Sequence, residues 1–244
     1  HWAGFPINSI KLGLSLSDID PKEITDVALN FNPFSNLFQK STYFLSNYIF
    51  GKKRGEIYNR TKLRLDIKKQ LSFLENNKFK LHYVDHHVSH IASAFYPSGF
   101  DRAVGLSIDG FGDFSSLAIA ICDNNRIKIN KKIYFPHSLG LFSEAVTQFL
   151  GFNYYGDEYK VMGLSSYGKP IYFEKILNNL FKKNELFKLN LDYFNHQKPG
   201  YKYITGDSLE IDQIYQKKLN DLFFDEIDKE NNYEEFRKNF ASSV

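Results

Sequence analysis

The sequence has few of the residues that mark secreted, cross-linked or membrane-spanning folds. Among its 244 residues there is one cysteine, Cys122, which has no partner for an internal disulfide. Stability must therefore come from packing, and a reducing compartment is the expected location. No apolar run approaches the roughly 18 residues of a membrane span. The opening residues HWAGFP have neither the charged nor the apolar region of a signal peptide. We expect a soluble, cytoplasmic protein that does not bind membranes.

The sequence also has almost no excess of charge of one sign. Thirty-one basic and 28 acidic residues leave a net charge of +3, which is too weak a field to indicate a nucleic-acid partner. The one dense basic run, between Lys52 and Lys69, is explained more simply as the solvated face of a helix. In contrast, 43% apolar and 17% aromatic residues exclude disorder and provide a sizeable core. The chain starts with histidine and ends in a helix pattern without a stop signal, so we expect a fragment of a longer protein.

Hydrophobic periodicity indicates an α/β fold. It predicts an N-terminal helix after Pro6, strands over 24–30 and 80–85, and an amphipathic helix from Thr61. The aromatic stretch 31–58 shows no clear period and is expected to fold over the domain, as a lid would.

The second half begins with three alternating runs, AVGLSID, LAIAIC and IKINKKIYF, which predict antiparallel strands. Residues 185–209 are expected to be irregular or to form short strands. Helices are predicted over 143–150, 157–164, 170–182 and 211–227. Together these elements predict a mixed sheet flanked by helices.

The sharpest feature is a cluster of four histidines in HYVDHHVSH, from His82 to His90. On a helix, His86 and His90 project from one face, one turn apart, as two ligands of one metal ion do. His87 points elsewhere and occupies the position where a zinc protease needs glutamate. The alternative is that these histidines pack at a helix start capped by Asp85.

Downstream, SIDGFGDFSS places Asp109 at a predicted strand end, followed by Gly110, Gly112 and Asp113. We expect Asp109–Asp113 to form a tight loop whose amides face an open cleft and hold a phosphate while Asp109 faces a cation. An ordinary glycine-rich hairpin is the alternative. Because only one strand separates Asp109 from the histidine helix, a helix end and a strand end are expected to converge on one ion.

A third block, GFNYYGDEYKVMGLSSYGKP, places Asp157 at a helix start and Gly168 in a turn after the helix. By itself this block favours a capped helix with a solvated, charged first turn.

Three strings, DHHVSHIASAFYPSGFDRAVGLSIDGFGD, PHSLGLFSEAVTQFLGF and GDEYKVMGLSSYGKP, closely resemble the N-terminal domain of O-carbamoyltransferases of the NodU/CmcH type. The resemblance covers roughly residues 1 to 170 and is loose beyond them. It implies an actin-like ATPase fold with ribonuclease-H-like halves, related to the tRNA threonylcarbamoyl-transfer protein. Residues 1–244 would be one incomplete domain of this kind, lacking its first strand and its C-terminal end.

The resemblance also implies the chemistry of the site. A divalent metal, Fe²⁺ or similar, would be held by His86, His90 and Asp109, with a further aspartate from beyond residue 244. In the family, a C-terminal YrdC-type domain, absent here, makes carbamoyl adenylate from carbamoyl phosphate and ATP. The N-terminal domain then transfers the carbamoyl group to a hydroxyl of a small-molecule acceptor. This chain alone is not expected to complete that cycle.

The nucleotide would lie along the glycine-containing segments. Gly110 and Gly112, next to Asp113, would hold its phosphate, and by loose analogy Asp157 and Gly168 would lie near the ribose and base. No residue is an obvious general base, and the candidates are His87 and His137.

Two other functions compete with this one. A tRNA threonylcarbamoyl transferase would need a basic surface, and those enzymes carry two glycines where this chain has Asp109 and Gly110. A noncatalytic nucleotide-binding module of the same fold would need no metal, so His86 and His90 would be under no constraint to converge with Asp109.

Overall fold

The computed structural model describes residues 6–49, 67–74, 79–154, 156–183, 186–198, 212–229 and 233–244. The chain divides into two compact units. The first comprises residues 1–103 with 122–127, and the second comprises 104–121 with 128–244.

The first unit is built on a short parallel sheet. Its strands β1 (Asp26–Leu29) and β2 (Lys80–Tyr83) pair with Asp26 opposite Lys80 and Leu29 opposite Tyr83. The apolar side chains of alternate strand residues pack against a cluster formed by Ile67, Leu71, Leu74 and Phe79. The helices described in this unit are α1 (Ile7–Leu16), α2 (Leu37–Ile49), α3 (Ile67–Gln70) and α4 (His86–Phe95).

The second unit contains most of a three-stranded sheet and the larger core. Its strands lie in the order β3 (Arg102–Gly112), β4 (Ser115–Asp123), β5 (Arg126–Tyr134). Two residues join each consecutive pair, so the strands form antiparallel hairpins. The elements that follow are α5 (Leu139–Phe149), α6 (Glu158–Ser165), α7 (Phe173–Leu180), β6 (Phe181–Lys182), β7 (Lys188–Leu189), α8 (Lys217–Leu222), α9 (Phe224–Lys229) and α10 (Tyr233–Ser243).

Aromatic rings dominate the core of the second unit. Phe240, which is fully buried on α10, lies 4.8 Å from Phe223 and 5.0 Å from Phe149, measured between ring centroids. Phe236 and Tyr172 complete the group. Large rings in tilted and edge contacts stabilise a core through area and quadrupole interactions, so α10 is anchored through this cluster.

The structure confirms the mixed α/β class and changes several boundaries. The stretch 31–58 contains α2, and residues 50–58 lie outside the described part of the chain. Helix α5 begins four residues before the predicted residue 143, because Ser138 caps it. The helix predicted over 170–182 ends at Leu180, since the next two residues pair with β7. The helix predicted over 211–227 is divided into α8 and α9 at the fully buried Phe223.

Other predictions fall partly outside the described residues. The amphipathic helix predicted from Thr61 is described only from Ile67 onwards. Most of the basic run between Lys52 and Lys69, on which an RNA-binding surface would depend, also lies outside the described residues. Among the helices that the structure does describe, none is long and apolar enough to cross a membrane. The actin-like architecture stays a prediction.

Candidate metal and nucleotide site

The histidine pair lies at the start of α4. The Asp85 carboxylate caps this helix by accepting hydrogen bonds from the backbone N–H groups of His87 and Val88, at 3.1 and 3.3 Å. This fixed start confirms the predicted cap. It also places His86 and His90 on one face, with their Nε2 atoms 3.1 Å apart. The cap and the shared face, predicted as alternatives, are both present.

The Nε2 separation of 3.1 Å is what two ligands of one cation require. Nitrogens bound about 2.1 Å from one ion are separated by about 3.0 Å at a right angle and about 3.4 Å at a tetrahedral angle. The same distance suits a hydrogen bond between the rings when one Nε2 carries a proton. The spacing of the pair and the chemistry of its imidazole nitrogens therefore fit a borderline divalent metal.

Asp109 belongs to the second unit, within β3. The backbone N–H of Gly110 donates to its Oδ1 at 2.6 Å, which fixes the carboxylate at this point of the strand. The Oγ of Ser138 donates to the carbonyl oxygens of Asp109 and Gly110 at 3.1 and 2.8 Å. The carboxylate is thus held in a defined orientation, and its convergence with the histidine pair stays a prediction.

The turn of the first hairpin lies later than predicted. Strand β3 continues through Gly112, so the turn consists of Asp113 and Phe114 rather than 109–113. Both residues have left-handed φ angles, 51° and 74°, as a type I′ turn requires. This conformation is strained for a bulky residue such as Phe114.

The glycines of the hairpin do not form the open loop with cleft-facing amides that the sequence predicts. Gly112 and Asp113 are buried, and the Gly110 amide already donates to Asp109. A phosphate held by the Gly110 amide would have to displace that bond. The role of these residues in nucleotide binding stays a prediction.

Asp157 and Gly168 lie beyond the two ends of α6, an eight-residue helix about 12 Å long. The buried Asp157 carboxylate pairs with Lys160 at 2.6 Å. This hydrogen bond raises the pKa of Lys160. Gly168 packs against the backbone of α10 at Lys238 and Asn239. Both residues therefore have structural roles, and their predicted contacts with ribose and base stay predictions.

The two candidate general bases, His87 and His137, differ in burial and in hydrogen bonding. His87 is fully buried on α4. His137 lies in the second unit, where its Nδ1 accepts a hydrogen bond from the Leu189 N–H at 3.2 Å. Because that lone pair is used, Nδ1 does not accept a substrate proton while the bond lasts. A catalytic role for either residue stays a prediction.

The partly buried His137 gives a testable dependence of stability on pH. Burial lowers the pKa of His137 from 6.5 to about 4, with Lys188 adding to the shift. The pKa of its neighbour His196 is lowered too, again by burial. The unfolded chain thus binds more protons between about pH 4 and 6.5. The stability that depends on His137 being neutral is therefore fully present above pH 6.5 and is lost as the pH falls towards 4.

We expect the His137→Asn variant to have a flatter pH profile. The asparagine Oδ1 can accept the Leu189 N–H without titrating. Between pH 7 and pH 4 the wild type should lose about 2 kcal/mol more unfolding free energy than the variant, the full linkage value being reduced because solvent screens this half-exposed ring. Urea denaturation at the two pH values measures the difference. Carboxylates titrate in both proteins and cancel in this difference. Identical profiles would show that His137 does not contribute.

Sequence reasoning missed the contact between Ser138 and the segment of β3 that carries Asp109. Its local signal was present, because a serine directly before an apolar helical period is a typical N-cap. Gly140, two residues after this cap, weakens the local helix signal, because glycine is unfavourable inside a helix. The bonds to Asp109 and Gly110 connect residues 28 and 29 positions apart, and a local pattern carries no information about them.

Comparisons with known proteins agree with the motifs. The sequence model described as "Carbamoyltransferase N-terminus" matches residues 25–244, so the similarity extends well beyond residue 170. The uncharacterized protein sll1178 of Synechocystis sp. is 35% identical over 236 residues, which cover 91% of this chain and 36% of that protein.

Two nodulation proteins match over shorter stretches. NolNO of Sinorhizobium fredii is 42% identical over 91 residues, covering 37% of this chain and 13% of that protein. NolO of Bradyrhizobium diazoefficiens is 38% identical over 101 residues, covering 41% and 18%. The chain thus corresponds to about a third or less of these relatives' lengths. With a family match over nearly all of its residues, this chain belongs to the carbamoyltransferase N-terminus family.

Proposed function

We propose that the complete protein transfers a carbamoyl group from carbamoyl adenylate to a hydroxyl group of a small molecule. The observation that carries this proposal is the family match over residues 25–244. The donor and the type of acceptor follow from the motifs that resemble O-carbamoyltransferases. A YrdC-type domain of the complete protein would supply the adenylate from carbamoyl phosphate and ATP.

In the transfer step, the acceptor oxygen forms a bond to the carbamoyl carbon. The bond between that carbon and the phosphate oxygen breaks, and AMP leaves with the electron pair. The hydroxyl proton passes to a base or to water. We assign no residue as that base, since His87 is buried and the Nδ1 atom of His137 is occupied.

The residues of this chain would hold the reactants. His86, His90 and Asp109 would bind a divalent cation such as Fe²⁺, with a fourth ligand from outside the chain. The Nε2 spacing and the fixed Asp109 carboxylate support this assignment. A bound cation would act as a Lewis acid that neutralises charge on the adenylate phosphate. Gly110, Gly112 and Asp113 would lie along the phosphate, with Asp157 and Gly168 nearer the ribose and base.

The test supplies the complete protein with ¹⁴C-carbamoyl phosphate, ATP and Fe²⁺, together with either a panel of small hydroxyl compounds or tRNA. We expect label in a small-molecule product and phosphate release in the same reactions. Label in tRNA instead would favour the threonylcarbamoyl-transfer type of enzyme. Absence of both phosphate release and labelled product across the panel would favour the noncatalytic module.

A further inference from the structure

We propose that Ser138 and Gly140 are positioning residues for Asp109, an inference that rests on the proposed cation site. All three residues belong to the second unit. Ser138 is fully buried, and its hydroxyl donates to the carbonyl oxygen of the peptide that joins Asp109 to Gly110 and to the carbonyl oxygen of the next peptide. The first turn of α5 thereby holds the strand segment that carries the carboxylate.

The Ser138 hydroxyl makes three contacts with one oxygen and one proton. It accepts the Leu141 N–H at 3.1 Å, which caps α5. Its single proton is shared between the carbonyl oxygens of Asp109, at 3.1 Å, and Gly110, at 2.8 Å. An N-cap alone needs only the first of these contacts. The other two connect the helix start directly to β3 at Asp109 and Gly110.

Gly140 brings the helix against the same peptide. A Cβ added at Gly140 would lie 2.6 Å from the Gly110 nitrogen, 2.8 Å from the Gly110 Cα and 2.9 Å from the Asp109 carbonyl carbon. Distances this short are not tolerated between heavy atoms, so only glycine allows the approach. Ser138 therefore hydrogen-bonds to the same peptide against which Gly140, two residues later, packs directly.

The orientation of this peptide determines the orientation of the carboxylate. Its N–H, on Gly110, donates to Oδ1 of Asp109 at 2.6 Å. A rotation of the peptide would move the donor and release the side chain from its present rotamer. Contacts that orient a metal ligand in this way affect affinity without touching the ion.

The first test measures Co²⁺ affinity spectroscopically in Ser138→Ala, made in the complete protein. We expect affinity to fall about 10- to 100-fold. In the metal-free protein, the Gly110 amide should exchange hydrogen faster than in the wild type. Ser138→Thr keeps the hydroxyl on an extended backbone that suits a β-branched residue, and should restore both values. The matched control is Ser243→Ala, which removes another buried hydroxyl that donates to a carbonyl and accepts a backbone N–H.

The second test reaches the same peptide without changing a hydrogen-bonding group. Gly140→Ala should weaken Co²⁺ binding by a similar factor, although alanine is the better helix former. Its control is Gly163→Ala on α6, where an added Cβ would meet nothing within 4 Å. A purely structural role for Gly140 would leave the affinity of folded protein unchanged.

The outcomes separate the two proposals. If the wild type binds Co²⁺ and both Ser138→Ala and Gly140→Ala bind it equally well, the positioning role is wrong and the cation site stands. If the wild type binds no Co²⁺, the cation site is wrong and the positioning role falls with it. Weakened binding in both variants, with unchanged Ser243→Ala and Gly163→Ala controls, supports the positioning role.

Discussion

Replacing His90 with alanine should weaken Co²⁺ or Fe²⁺ binding by more than about 100-fold and reduce carbamoylated product to background. The substitution removes one of two imidazole nitrogens that lie 3.1 Å apart. Loss of a direct ligand should exceed the 10- to 100-fold effects of residues that only orient ligands. His90 is exposed, so the fold should survive the substitution. Phosphate release from carbamoyl phosphate should persist, because the adenylate would form in another domain.

The control for this experiment is His82→Ala. His82 also belongs to the first unit, precedes α4 by a few residues and contacts Asp26 at 2.6 Å. The side chains of His82 and Asp26 are 42% and 59% exposed, so loss of this solvent-screened pair should have little effect on stability. We expect the His82→Ala enzyme to bind metal and form product as the wild type does. Undiminished product from His90→Ala would show that a cation held by His90 takes no part in transfer.

The histidine pair could be predicted from the sequence because all of its determinants are local. Asp85 supplies the cap, and a four-residue spacing places His86 and His90 on one helix face whatever packs against it. The 3.1 Å distance between the two Nε2 atoms therefore follows from helix geometry and two rotamers.

The hairpin could be predicted only in part. Alternating residues indicated its strands, but the two glycines placed the turn too early. The observed turn uses Asp113 and Phe114, and a phenylalanine with φ of 74° leaves no signal in a single sequence. It is held by tertiary contacts, including the Phe135 N–H, which donates to the Phe114 carbonyl at 3.1 Å.

The contacts of α5 and α10 could not be predicted, because they join residues that lie far apart in the sequence. Ser138 contacts the backbone of residues nearly 30 positions away, and Gly168 contacts that of residues about 70 positions away. Gly168 follows the turn at the end of α6, as predicted, but its φ is not left-handed. Its close approach to α10 is a separate reason for glycine, and the local sequence carries no sign of it. Its interpretation as a nucleotide contact came from the motif alone, so the structure offers a second explanation that experiment can separate from the first.

We expect Gly168→Ala to lower the free energy of unfolding by about 3 kcal/mol or more. An added Cβ would lie 2.0 Å from the carbonyl oxygen of Lys238 and 2.7 Å from the backbone nitrogen of Asn239. These are backbone atoms of α10, so relief requires the helix to move. Movement would break the bond from the Lys169 N–H to Asn239 Oδ1, and it would disturb Phe240 in the aromatic core.

The measurement is urea denaturation of Gly168→Ala beside Gly163→Ala, in which the new methyl group meets open space. Removing a glycine from an exposed position of α6 should raise the unfolding free energy by up to about 1 kcal/mol. The two variants therefore add the same group five residues apart on one segment and should shift stability in opposite directions. If Gly168 were needed only to admit a nucleotide base, its alanine variant would unfold as the wild type does and lose affinity for ATP alone. Loss of stability without added ATP would instead show that α10 requires glycine at this position.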